Sequence, residues 1–62
     1  SSVVVEHCGD IYYHCGETDK ALEFWKEAEK LANETTEEED KRSPEELKLL
    51  KKKIKNKKYY TE

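Results

Sequence analysis

Methionine is absent from this 62-residue chain, and proline, phenylalanine and tryptophan each occur once. Glycine is limited to Gly9 and Gly16, and cysteine to Cys8 and Cys15. Two cysteines are too few for the disulfide framework that staples many small secreted domains. On one helix, seven residues apart, their Cα atoms lie about 10 Å from each other at a rise of about 1.5 Å per residue. A disulfide tolerates roughly 7 Å. Free thiols are therefore expected, which leans toward a reducing, cytoplasmic setting. No apolar run approaches the roughly 20 residues a membrane helix needs, and no signal peptide is visible. The chain opens without an initiator methionine, Ser1-Ser2 running straight into Val3-Val4-Val5. That beginning is expected of a piece cut from a longer protein.

What is present is charge. Charged residues make up 44% of the chain and hydrophobic ones 34%, which suits exposed helices around a thin core. The formal net charge of −3 conceals a division. Residues 1–40 carry three lysines against twelve acids, a net of −9, whereas residues 41–62 carry nine Lys/Arg against three acids, a net of +6. Such asymmetry predicts attraction between the halves or a separate partner for each. A core of this size supplies roughly 3–5 kcal/mol of net stability. A substrate cavity would empty it, so an enzyme is not expected.

The pattern predicts an all-α chain. Val4, Val5, Cys8, Ile11, Tyr12 and Cys15 recur at helical spacing, widened by Val3 and Tyr13. The valine run alone favours a strand, but the longer period overrides it and predicts a helix over about 3–15. Gly16 follows as a left-handed C-cap. Thr18 or Asp19 is placed to cap a second helix over about 19–32, whose apolar face is Ala21, Leu22, Trp25, Ala28, Leu31 and Ala32. With about three residues between them the helices must fold back antiparallel, giving a hairpin over 1–34.

Residues 35–42 are expected to form an acidic, mobile linker, because 33–42 hold no apolar side chain. Ser43-Pro44-Glu45-Glu46 is a sharp helix start, with Ser43 as N-cap, Pro44 at the first helical position and Glu46 closing a capping box. A third, basic amphipathic helix over 43–60 follows. Its narrow apolar seam is Leu47, Leu50 and Ile54, with Leu49 beside it and the lysines, Lys53 among them, elsewhere. Docking on the acidic hairpin, with lysine stems lying along it, is the expected role of this helix. The alternative is a surface for nucleic acid or anionic lipid, although the seam lacks Trp and Phe.

His7-Cys8 and His14-Cys15 repeat after seven residues and raise a zinc reading, since both residue types ligate that metal. One tetrahedral ion spans about 4 Å between ligands, whereas residues two turns apart lie about 10 Å from each other. Adjacent His and Cys also diverge by about 100° around the helix. Neither metal nor other cofactor is expected. Neither cysteine sits at a helix N-terminus or beside Lys/Arg, so nothing activates a thiolate nucleophile.

Val5-x-x-Cys8-Gly9-x-x-Tyr12, followed by Ala21-x-x-x-Trp25 and Ala28, resembles the tetratricopeptide repeat, with Gly16 in the turn and Leu22 on the packing face. The resemblance covers about residues 3–34. Val5 stands where the family prefers an aromatic, Cys8 where leucine is usual, and Asn33 where proline often ends the repeat. It implies that Gly9 and Ala21 let two helix backbones approach while Tyr12 and Trp25 fill the space beside them. It implies further that the Leu47–Ile54 helix is the solvating cap that closes a solenoid, and that Val3, Val4 and Ile11 lie against a preceding repeat. A protein-binding scaffold is the implied role, with Glu6, Asp10, Tyr13 and His14 on the concave, partner-binding face. Two acids there favour a basic or neutral protein or peptide. The alternatives are a purely structural, self-associating element and the basic-helix binder.

Overall fold

The computed structural model describes residues 1–34 and 42–60. They form three helices: α1 (Ser2–His14), α2 (Thr18–Glu34) and α3 (Pro44–Asn56). The fold is all-α, with no strand among the described residues. The valine run is helical: Ser1 caps α1 by accepting the Val4 N–H on its hydroxyl at 3.4 Å, and the period through Cys8 and Tyr12 carries the helix on.

α1 ends at Gly16, whose φ of +83° places it in the left-handed region. The Gly16 N–H reaches the Tyr13 carbonyl at 3.0 Å and the Glu17 N–H the Tyr12 carbonyl at 2.8 Å. This is the paired closure that satisfies the last carbonyls of a helix. It also corrects the expected cap of the second helix. The Glu17 carbonyl, pointing onward from that turn, accepts the Ala21 N–H at 3.0 Å, so Thr18 is already helical and α2 starts without Thr18 or Asp19 as its cap.

α1 and α2 pack as the antiparallel hairpin. A methyl group built on Gly9 would lie 2.6 Å from Cδ1 of Trp25 and 3.1 Å from the Ala21 carbonyl oxygen. Only hydrogen fits there, and that vacancy is what the indole occupies. Trp25, Ala21 and Ala28 are fully buried, and Leu50 of α3 completes the core. Val5, Tyr12, Tyr13, Ile54 and Tyr59 pack around it. Phe24, outside the face expected for α2, stacks on Tyr12 with ring centroids 5.1 Å apart. Cys8 and Leu22 are only half-buried, and Cys8 and Cys15 are free thiols.

α3 is shorter than expected. Ser43 caps it, accepting the Glu46 N–H at 3.2 Å, and Pro44 opens it, but it stops at Asn56 rather than running to 60. Lys57 adopts φ +52°, ψ +43°. This left-handed residue turns the chain so that Tyr59 returns onto α1, 6.4 Å from Tyr13 and 4.8 Å from His14 between ring centroids. The expected linker over 35–42 lies outside the described residues except at Arg42. That residue is anchored, its side chain 6% exposed.

Gly9→Ala should lower the melting temperature. Overpacking costs typically about 1–3 kcal/mol and exceeds the roughly 1 kcal/mol that alanine gains over glycine in a helix. Circular-dichroism melting of the two chains decides it; a more stable variant would mean that the indole has room to move.

Candidate functional site

α1 carries Glu6 and Asp10 one turn apart, on the side that also holds Ser2, Gly9 and Tyr13. Two carboxylates at that spacing repel each other in an isolated helix. Here α3 supplies the counter-charge. The Lys53 ammonium donates to Glu6 Oε2 at 2.5 Å and to Asp10 Oδ1 at 2.9 Å. Arg42 spreads its three nitrogens over three partners: Nη2 to Glu6 Oε1 at 2.5 Å, Nη1 to Ser2 Oγ at 2.7 Å, and Nε to Glu46 Oε2 at 2.7 Å. Trp25 joins through Nε1–H, which donates to Asp10 Oδ1 at 3.0 Å.

The cluster is dry. Lys53 is 2% exposed and Glu6 7%. An isolated ion so placed would be strongly disfavoured, yet no buried side-chain polar atom lacks a hydrogen-bond partner among the described residues. Lys53 also lies 5.0 Å from the ring centre of Tyr59 and 5.7 Å from that of Trp25. Their π faces take part of the solvation that water gives an exposed ammonium.

Burial pushes the Glu6 carboxyl up, but the hydrogen bonds and charges of Lys53 and Arg42 outweigh it and hold Glu6 below its ordinary value. Burial disfavours the Arg42 cation, and Glu6 and Glu46 more than reverse that, raising its pKa. Glu46 is held low chiefly by the hydrogen bond from Arg42. These groups hold one another charged, an arrangement suited to clamping a helix.

The repeat resemblance implies an open concave face at Glu6, Asp10, Tyr13 and His14. They do share one side of α1, but that side is not open. Glu6 is sealed beneath Lys53 and Arg42, and Tyr13 is sandwiched between Trp25, 5.9 Å away, and Tyr59. His14 remains exposed, edge-on to Tyr59. What remains between α1 and α3 is a cleft of about 480 Å³ lined by His7, Leu49 and Tyr60 as well as the cluster. Of the expected seam, Leu50 is fully buried, while Leu47 and Ile54 are half-buried.

Lys53 and Arg42 are the residues the sequence leaves unassigned. Lys53 lies in a row with Glu46 and Leu50 that faces α1 and α2, not among the outer lysines. Its only signal is spacing, three residues beyond Leu50, together with the opposite charge of the two halves. Arg42 offers less, as the residue before an N-cap. No protein-family model, curated protein or solved structure matches the chain.

Lys53→Ala should cost about 3–5 kcal/mol, the usual penalty for stranding a buried charge, and so unfold the chain at room temperature; retained helical ellipticity would show that the cluster is dispensable. The pH dependence has a defined sign. The native state holds Glu6 below its ordinary pKa of about 4.5, so the unfolded chain binds more protons there. This contribution is fully present above pH 4.5 and is lost as pH falls through the lower native value. Denaturant titrations between pH 6 and 2.5 should show it, and Glu6→Gln should flatten the dependence.

Proposed function

We propose that the chain is the closing end of a tetratricopeptide-like solenoid, a protein-interaction scaffold in which α1–α2 is the last hairpin and α3 its solvating helix. One observation carries the reading. α1 presents an apolar stripe that nothing in the described chain covers: Val4 is 61% exposed and Ile11 63%. Cys8 and Cys15 continue it at alternating four- and three-residue steps, the spacing of a helix–helix seam. A preceding hairpin laid on that stripe would do for α1 what α2 does on the other side. The close approach at Gly9 and Trp25 supports the same reading, since it is the packing that the family's small and aromatic positions imply.

α3 lies over the face where the concave site was expected, so peptide recognition at Glu6 and Asp10 would require its displacement. The proposed scaffold therefore recognises partners through surfaces other than that acidic patch.

The test is a fusion that places a consensus tetratricopeptide hairpin before Ser1, joined through a short turn so that it folds back onto the exposed stripe of α1. Val4 and Ile11 are 61% and 63% exposed, so covering them is worth about 2–4 kcal/mol, and each kcal/mol moves the melting temperature of so small a domain by roughly 4–8 °C. The fusion should therefore melt about 8 °C or more above the free chain, with slower reaction of the Cys8 thiol toward a bulky maleimide. Ile11→Glu should abolish both changes. A fused chain whose own unit melts where the free chain does would end the solenoid reading.

A further inference from the structure

The outer side of α3 faces away from the helical hairpin. Lys48, Lys51, Lys52 and Lys55 are all exposed, and their spacing places them on one face, opposite the row through Glu46, Leu50 and Lys53. None of them has an ion-pair partner among the described residues; Lys52 rests over the Tyr60 ring at 4.5 Å. The four span about 10 Å along the axis. Shallow depressions flank this ridge. One, of about 220 Å³, is lined by Leu49 with Glu45, Lys48 and Lys52. The other, of about 500 Å³, is lined by Leu47 and Pro44 with Arg42, Lys48 and Lys51.

We infer that this ridge docks a short acidic segment of a partner protein, its carboxylates on Lys48, Lys51, Lys52 and Lys55 and its apolar residues in the depressions beside Leu47 and Leu49. Charge complementarity selects an anion, and the Leu-lined hollows select one that carries apolar side chains, which a phosphate backbone does not. Size argues the same way. The described body measures 33 × 17 × 15 Å and the chain is acidic outside α3. A polyanion long enough to pass the ridge and Lys57-Lys58 would meet the acidic α1–α2 hairpin, whereas a peptide of two or three helical turns would not. A bilayer is disfavoured because the apolar side chains beside the ridge, Leu47, Leu49 and Tyr60, are half-buried and do not stand beyond the lysines. The sign of the partner is the reverse of the one suggested by Glu6 and Asp10, because Lys53 and Arg42 already neutralise those two.

The inference concerns a different face from the solenoid reading and stands or falls separately from it. The experiment is fluorescence anisotropy with the 62-residue chain and a labelled probe of about three helical turns bearing Glu at i, i+3, i+4 and i+7 flanked by Leu. A scrambled probe of equal composition, a single-stranded oligonucleotide of equal charge and vesicles containing phosphatidylserine serve as competitors. Saturable binding that weakens with salt is expected. It should fall at least tenfold in the variant combining Lys48→Gln, Lys51→Gln, Lys52→Gln and Lys55→Gln, and remain unchanged in Lys26→Gln/Lys30→Gln on α2. All four substituted positions are exposed, so helical ellipticity should persist and report the fold. Undiminished binding by the quadruple variant, equal binding of the scrambled probe, or tighter binding of the oligonucleotide or vesicles would each overturn the assignment.

Discussion

A largely buried lysine ammonium seated between two carboxylates organises this small fold. Lys53 is buried to 2% exposure, and only the geometry at Glu6 and Asp10 makes that position tolerable. A buried ion pair is not in itself a strong source of stability, since desolvation consumes most of the Coulombic gain. What it imposes is orientation. A lysine-rich helix with a thin apolar seam could roll on the hairpin at little expense. Lys53 favours one roll angle, because turning it away leaves Asp10 without its ammonium and Glu6 with Arg42 alone. Arg42 fixes the entry of α3 in the same way, bonding to Ser2, Glu6 and Glu46 at once.

Trp25 couples this polar lock to the apolar core. Its ring fills the space that Gly9 leaves open, and its Nε1–H donates to Asp10, which also accepts from Lys53. The closeness of α1 and α2 and the docking of α3 thus share one side chain. Substitutions at Gly9, Asp10, Trp25 and Lys53 should therefore not add independently, as is general for residues in one contact network. The left-handed turn at Lys57 extends the coupling, returning Tyr59 to Tyr13 and to the face of the Lys53 ammonium.

The charge arrangement that follows differs from the one composition suggests. The acids expected to greet a ligand are used internally, and the cations that neutralise them are withdrawn from the surface. The exposed character of α3 is then set by the lysines that remain outside. On the far side of the molecule, Val4 and Ile11 stay in solvent because α2 and α3 both pack on the other side of α1.

Local chemistry in the sequence was enough for the helices and their order. Ser43-Pro44 starts α3, Gly16 ends α1, and the apolar period through Tyr12, Ala21, Trp25 and Ala28 names the hairpin interface, because caps, turns and amphipathic faces are short-range properties. The close approach at Gly9 was implied by the repeat resemblance, and the missing side chain there is its physical reason. The fate of individual charges was not legible, because a lysine that snorkels and a lysine that is buried look alike along the chain. Glu6 and Asp10 read as an open acidic face for the same reason. Tertiary structure alone decided that Lys53 and Arg42 lie over them, since a charge is buried only where its counter-charge arrives from another helix, and no local pattern records that meeting.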